Sequence, residues 1–390
     1  MQYVVAKAEA ARVRATSGAM IDKLLVTGGT GFIGGAVLAE LLTSPLWSKT
    51  LILARGTETM SARERVIQSL KRFHPDLPLA GLVAESQILV GALDDTAALV
   101  TDSRLVGVTH VIHAAAVTSF SAHPKIRAIN VDASLAFVRL LAERADLKRF
   151  LNVGTAWCVG MRGAGLVAEE ANPLMGEHAV PYTESKIEFE RAVRAEFPDL
   201  AFVSARPSIV VGHTKLGTTP SGSIYWVFRS GQLMGRFTAS YDDRVDVVPV
   251  DWVARALLQL VAKRELAHDT YHLSAGLQAS SAISQIDASI AQGRKLPPNG
   301  AAGYLRVNNT ELSAAVYAMR ERFGDVKPKL LAKALCLYGA FARSGTMFDN
   351  QRTLAEGIDA PSPFFSYAHV CAATAESSSI SAQMEDDFKC

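Results

Sequence analysis

The sequence predicts an α/β fold, a Rossmann-type doubly wound parallel sheet carrying a smaller C-terminal cap. Three observations predict it. Short apolar runs alternate with amphipathic helical stretches from Asp22 to about Gly212, as in parallel strands covered on both faces. A glycine-rich turn, Gly28-Gly29-Thr30-Gly31-Phe32-Ile33-Gly34, follows the first run. Tyr182 and Lys186 stand four apart at the start of the helical stretch after the fifth run.

In chain order, the stretch 23–27 (KLLVT) reads as a strand leading into a helix through Leu42, and 51–54 (LILA) as a second strand feeding a helix over 61–73. A third strand falls at 86–90 and a fourth at 110–116, followed by a helix over 130–145. A fifth strand, 149–155, precedes the Tyr182 helix (182–197), and a sixth covers 201–207. A helix from Trp252 to Ala262 and a strand from Thr270 to Leu273 extend the pattern. Each strand is too short and too apolar for a half-solvated sheet. Loop-rich insertions at about 156–181 and 213–249 break the rhythm, and 276–390 mixes helices with proline turns. The expected organisation is an N-terminal tail (1–20), a core (21–275) holding both insertions, and a C-terminal substrate-binding cap (276–390). The insertions and cap should gather beyond the carboxyl ends of the strands, where open α/β sheets bind ligands.

The bulk numbers narrow the class. Of 390 residues, 49% are apolar and 20% charged, an ordinary globular composition. Net charge is +2, with no run of five like charges, which argues against a nucleic-acid partner. Cys158, Cys336, Cys371 and Cys390 are widely spaced and lack metal-ligand spacing, so no metal site is expected and the thiols should be reduced. That usage points to a cytoplasmic protein. The most apolar stretch, 334–342, falls short of the ~20 residues a membrane span needs. The first twenty residues hold Lys7, Arg12 and Arg14 but no continuous apolar region, so they read as a tail rather than a secretory signal.

The glycine turn is where chemistry enters. A dinucleotide pyrophosphate needs backbone N–H groups at a helix N-terminus with no Cβ in the way. Gly28 permits the tight turn, Gly31 the close approach and Gly34 the helix–strand packing, with Thr27, Thr30, Phe32 and Ile33 completing the cradle. With 28 glycines the spacing alone arises by chance about 0.14 times per chain; the strand before it and helix after it give it weight. The second strand ends in Ala54-Arg55-Gly56, with no acid for a ribose 2′-hydroxyl. Arg55, with Arg65 from the next helix, suits a 2′-phosphate, so NADPH is expected over NADH. The plainer reading of Arg55 is a solvated surface residue.

Tyr182 and Lys186 share a helical face, and the strand before them ends in Thr155. Hydride addition to a carbonyl makes an oxyanion that must be protonated. A lysine charge ~4 Å from a phenol is worth on the order of 4 kcal/mol at an effective dielectric of ~20. That would bring a tyrosine of pKa ~10 down by ~3 units, near working pH. Thr155 can hold the same oxygen. The plainer reading is a first-turn aromatic and a surface charge.

Together, TGGTGFIG, HAAAV (113–117), VGTAW (153–157), YTESK (182–186), RPSIVVG (206–212) and VPVDWVA (248–254) resemble the extended short-chain dehydrogenase/reductase superfamily. Within it, residues 51–66, 113–120 and 206–254 look most like the fatty acyl-CoA reductase and thioester-reductase branch, and MFDNQRT (347–353) looks like the tail of bacterial acyl reductase relatives. The resemblance implies a catalytic triad of Thr155, Tyr182 and Lys186, with Lys186 also bonding the nicotinamide ribose. It implies that Arg55 and Arg65 take the 2′-phosphate and that Ala92 and Leu93 stand at the adenine. The stretches Ala114, Ala115, Ala116 and Pro207, Ser208, Ile209 would line the nicotinamide. His113 and Asn130 are then structural. Two departures stand out. Gly91-Ala92 replaces a usual Gly-Asp pair at the adenine, with Asp94 out of alignment, and Gly154 stands where serine is common, which would loosen the hydroxyl network.

Three functions compete on this pattern. The first is NADPH-dependent reduction of an acyl thioester, on coenzyme A or a carrier protein, to aldehyde or alcohol. Residues 224–228 would cradle the acyl chain, and Lys215, Arg229 and Arg236 would meet carrier phosphates. The second is a nucleotide-sugar epimerase or dehydratase, or a ketoreductase, on the same core. The third is a non-catalytic NADP sensor, which has no use for an intact Tyr–Lys pair. The amphipathic stretch 327–343 either touches a membrane surface weakly or packs on the core and closes the substrate tunnel.

Overall fold

The computed structural model describes residues 21–119, 123–171 and 178–388. The N-terminal tail, Phe120 and Cys390 lie outside the described residues, as do positions 172–177 of the first insertion. Seven strands form the central sheet: β1 Leu24–Thr27, β2 Thr50–Ala54, β3 Ile88–Val90, β4 His110–His113, β5 Arg149–Val153, β6 Phe202–Pro207 and β7 Thr270–Leu273. Their order is β3-β2-β1-β4-β5-β6-β7, and every neighbouring pair is parallel. Chain direction across the sheet reverses between β1 and β4, which opens a crevice at their carboxyl ends.

The apolar runs are continuous because each strand feeds two cores. Leu24, Val26, Ile52, Ala54, Ile112 and Leu151 face one side, and Leu25, Leu51, Leu53, Val111 and Phe150 the other, the two-residue alternation of a pleated strand. On the first side pack α1 Phe32–Leu41 and α2 Ala62–Lys71; on the second, α3 Ser134–Arg144 and α4 Pro181–Glu196. A capping box starts α2, with Glu64 N donating to Ser61 Oγ and Ser61 N to a Glu64 carboxylate oxygen. A wider π turn, Ala128–Ala133, runs into α3.

A second apolar core collects α5 Tyr225–Met234, α7 Ile283–Gly293, α8 Asn309–Ala318 and α9 Pro328–Arg343, while α6 Val250–Ala262 returns to the sheet beside α1. Leu331, Leu335, Tyr338 and Phe341 of α9 are buried. The apolar face of 327–343 is thus spent inside the protein. Among the described residues no helix is long and apolar enough to cross a membrane.

Two buried carboxylates tie this second lobe to the sheet. Asp246 accepts from the N–H of Ala275 at 2.7 Å and of Phe348 at 3.1 Å. Glu169 accepts from the N–H of His272 at 2.8 Å and of Arg352 at 2.7 Å. The strand Thr346–Phe348 pairs with Gly165–Val167. Asn350 and Thr353 donate to the carbonyls of Ser274 and His272. The stretch 347–353 is therefore a clasp on the edge of the sheet.

Burial pushes the pKa of Glu169 up to about 7 and that of Asp246 to about 6. The folded state then holds protons that the unfolded chain releases near pH ~4. This contribution is present at low pH and lost as pH rises through 6 and 7. The buried, neutral His113 and His272, held down to about 3, act in the opposite sense below pH ~6.5 and cancel when two variants are compared. Glu169→Gln should lower the melting temperature, and its deficit against the unaltered protein should shrink from pH 5 to pH 7. A deficit independent of pH, read by thermal circular dichroism, would show that Glu169 does not titrate there.

Candidate active site

The crevice begins at the glycine turn. Gly28 sits at φ +73°, and a Cβ there would stand 2.6 Å from the backbone of Ala114 and Ala115. A Cβ on Gly34 would stand 2.2 Å from the Gly28 carbonyl oxygen. Gly31 is different: its nearest obstruction is 3.3 Å away. It is the N-cap of α1, without a side-chain cap, so the first N–H groups of that helix face the crevice. The donor set, the helix end and the missing side chains fit a pyrophosphate.

β1 and β4 are locked together below this turn. Thr27 Oγ1 lies 3.0 Å from His113 Nδ1 and accepts from Ala115 N at 3.2 Å. His113 Nε2 lies 3.2 Å from Ser134 Oγ. Burial, then the Lys186 charge, holds the His113 pKa down at about 3, so the imidazole is a neutral strut. Asn130, in the π turn, accepts from Val117 N at 2.7 Å and donates to Val117 O and to Ser185 Oγ, each at 3.0 Å. One amide thereby positions both the loop after β4 and the first turn of α4.

At that turn Tyr182 faces the crevice and Lys186 lies behind it, 4% exposed. Lys186 Nζ donates to Val153 O at 2.8 Å and lies 5.9 Å from the Tyr182 ring centroid. Burial brings the ammonium down to about 8, against the pull of Glu190. The phenol moves the other way from the sequence expectation: burial, with Cys158 adding, pushes its pKa up. In the protein alone Tyr182 therefore stays protonated, a state suited to donating. Thr155 Oγ1 accepts from Trp157 N at 3.3 Å, which leaves its own hydroxyl proton to give away.

Beneath this group lies a feature the sequence reading missed. Glu190, one turn beyond Lys186, pairs with Arg206 of β6 at 2.5 Å, with side chains 1% and 7% exposed. Gly154 makes room for it, since a Cβ there would stand 2.7 Å from Glu190 Oε1 and 3.2 Å from Arg206 Cγ. Glycine at 154 is thus matched to a buried ion pair. The signal was present: an arginine in an apolar strand and a glutamate on the buried face of α4.

One cavity of about 860 Å³ unites the site. It is lined by Thr27, Gly28, Thr30, Gly31, Phe32, Ile33, Gly34, Arg55, Arg65, Ala92, Leu93, Ala114, Ala115, Ala116, Pro207, Ser208 and Ile209, together with Thr155 and Tyr182. Asp94, set aside as out of alignment, lines it too, and so does Arg72. Arg72 was legible, seven residues beyond Arg65 and on the same helical face. It donates to Thr30 O at 2.9 Å, while Arg65 donates to Arg55 O at 2.8 Å. Past Tyr182 the cavity runs on between Ile224, Val227, Phe228, Phe237, Ile283, Ile286, Tyr338 and Phe341. Of the stretch 224–228, Tyr225 and Trp226 are fully buried, and Trp226 packs edge-on against Tyr338. Arg229 is not placed for a carrier phosphate, since it donates to the carbonyls of Ala375 and Ser378. Arg236 Nε reaches Met234 O, and Lys215 is exposed.

A family model described as male sterility protein matches residues 26–257. The chain is 26% identical over 270 residues to a nonribosomal peptide synthetase of Cladobotryum sp, covering 64% of this chain and 26% of that protein. It is 24% identical over 285 residues to a putative fatty acyl-CoA reductase of Drosophila melanogaster, covering 60% of this chain and 51% of that protein. It thus spans about half or less of these curated relatives. Among solved structures, the terminal R domain from the myxalamid PKS-NRPS biosynthetic pathway superposes with a TM-score of 0.72 at 19% identity, covering 91% of this chain and 90% of that one. At that identity the likeness is one of fold.

Gly154→Ser should destabilise the fold by roughly 1–3 kcal/mol, the usual consequence of overpacking a buried site. An unchanged urea midpoint would show that the Glu190–Arg206 pair yields at no cost.

Proposed function

The chain belongs to the male sterility protein family, within the extended short-chain dehydrogenase/reductase superfamily, and on that premise we propose that it reduces an acyl thioester with NADPH. The observation that carries this reading is the cavity. One cavity of about 860 Å³ takes in the dinucleotide crevice, Thr155 and Tyr182, and the apolar side chains of α5, α7 and α9 beyond them. NADPH is favoured over NADH because Arg55, Arg65 and Arg72 line the crevice beyond β2, where a 2′-phosphate would stand. A carrier-bound substrate is in keeping with the nonribosomal peptide synthetase relative.

Bound NADPH would supply a hydride to the thioester carbonyl carbon. Everything else falls to the chain. The Thr155 hydroxyl and Tyr182 phenol would donate hydrogen bonds to the carbonyl oxygen as it gains charge. When the C=O bond reforms, the C–S bond breaks and the electron pair leaves on sulfur. A thiolate is a good leaving group, at pKa ~8.5 by comparison with cysteine. Should the aldehyde be reduced in turn, by hydride from a second NADPH, Tyr182 would give its proton to the alkoxide, and the Lys186 ammonium would stabilise the phenolate left behind.

Four measurements test this. Tyr182→Phe should lower turnover by roughly two to four decades with little change in cofactor binding, and near-normal turnover would remove Tyr182 from the role. In the unaltered protein, kcat/KM should fall as pH rises through about 8, where Lys186 loses its charge. For the cofactor, NADPH should bind at least ~10-fold tighter than NADH, about 1.4 kcal/mol. Arg55→Ala should erase most of that difference, and equal affinities in the unaltered protein would overturn it. For the substrate, long-chain acyl-CoA or acyl-carrier protein with NADPH should release thiol alongside aldehyde or alcohol. Reduction of a free ketone or aldehyde with no thiol release from either carrier would make the enzyme a ketoreductase.

A further inference from the structure

The far end of the cavity is not apolar. Two helices face each other across it. From α5 and the residue before it come Ile224, Val227, Phe228 and Gly231, and from α7 come Ile283, Ile286 and Ile290. Both sets keep the three-and-four spacing of a single helical face. On the lining face of α7, where the spacing calls for another isoleucine, stands Asp287; at the last turn of α5 stands Gln232.

These two polar side chains belong to one wall. Asp287 is 4% exposed. Its Oδ2 accepts from Tyr241 OH at 2.9 Å and from Asn299 N at 2.8 Å, and its Oδ1 from Asn299 Nδ2 at 2.8 Å. Asn299 Nδ2 also donates to Gln232 O at 2.9 Å. All three donors to Asp287 are neutral, and among the described residues no lysine, arginine or histidine nitrogen lies within 4.0 Å of its carboxylate. The cation in this wall, Arg294, donates instead to Gln232 Oε1 at 2.7 Å.

A buried carboxylate without a countercharge is costly, and a carboxylate offers about four acceptor sites, of which three are taken here. The helix places the two ends of this wall. Ser223, just before α5, donates to Val210 O, and Gln232 stands in the last turn of α5, whose ten residues span about 15 Å at 1.5 Å per residue.

We propose that Asp287, backed by Gln232, is the recognition end of the substrate cavity and that it selects an acyl chain bearing a protonated amine at the end remote from the reacting carbonyl. The proposal rests on the thioester reading for what happens at the other end of that chain, but the recognition itself does not depend on turnover. The ammonium would complete the carboxylate's acceptor set and supply its missing countercharge, while the apolar faces of the two helices hold the methylenes between. A chain ending in a methyl group would leave the carboxylate uncompensated.

The test is calorimetric, on the full chain with NADP present, using decylamine and decan-1-ol at pH 7. The unaltered protein should bind the amine at least ~10-fold tighter than the alcohol, and Asp287→Asn should remove that preference while leaving the alcohol's affinity unchanged, which also reports an intact cavity. Equal affinities in the unaltered protein overturn the proposal whatever the variant does, as does an amine preference that survives Asp287→Asn. A parallel comparison of 12-aminododecanoyl-CoA with dodecanoyl-CoA separates the two readings. An amine preference in binding with neither thioester reduced would sink the thioester assignment and leave this site standing. Reduction of both at equal kcat/KM, with equal binding of amine and alcohol, would do the reverse.

Discussion

The rest of the molecule is arranged around a backbone contact that leaves no space for side chains. The carbonyl of Gly28 sits so close to Gly34, and Gly28 itself so close to Ala114 and Ala115, that a single methyl group at either glycine would collide with main-chain atoms. Main chain cannot retreat as a side chain can. The contact therefore sets how near α1 lies to β1, and how near the loop after β4 lies to the turn. Those two separations define the crevice. Thr27, His113 and Ser134 then hold the same junction from below by hydrogen bonds, and Asn130 passes the alignment on to α4 through Ser185. The register between the dinucleotide cradle and Tyr182 is thus carried by neutral groups, insensitive to pH and salt near neutrality.

The sheet and the cradle were legible because their causes are local. An apolar strand, a turn that demands glycine and a helix with an open N-terminus are neighbours in sequence. The element boundaries moved by only a few residues. The third strand shortened to Ile88–Val90, for instance, and the α3 helix acquired a π turn at its start. Illegible were the pairings between distant segments. Nothing next to Gly154 announces that its missing side chain is filled by a carboxylate from α4 and a guanidinium from β6. Arg229 read as a free cation because its partners, the carbonyls of Ala375 and Ser378, lie nearly 150 positions away. The phenol's electrostatics were misjudged for a related reason. A pairwise Coulomb argument counts the lysine but not the apolar burial around both groups, and here burial prevails.

Charge is distributed with a consistent logic across the site. The crevice end is rich in guanidinium groups, the middle holds one buried ammonium, and the tunnel's end holds a carboxylate among isoleucines. In a low-dielectric channel such an ordering gives a bound chain a direction as well as a depth. On the proposed reading, apolar walls alone would let an acyl group slide, whereas a polar end would fix where sliding stops, and with it which carbon stands beside Thr155 and Tyr182.

The clasp formed by residues 346–353 has a consequence for how the protein comes to exist. Arg352 reaches Glu169 across 183 positions, and the walls of the tunnel, from Ile224 to Phe341, are drawn from within the span that this closure brackets. Contacts of such long range are entropically expensive and form late in folding. During vectorial synthesis the sheet from β1 to β6 can gather on its own residues, but the lobe that walls the tunnel is not tied to the sheet until the clasp segment has emerged. Until then the apolar faces of α5 and α7 are less firmly held against the rest of the chain. The interval between completing the sheet and closing the clasp is the nascent protein's period of greatest exposure to aggregation.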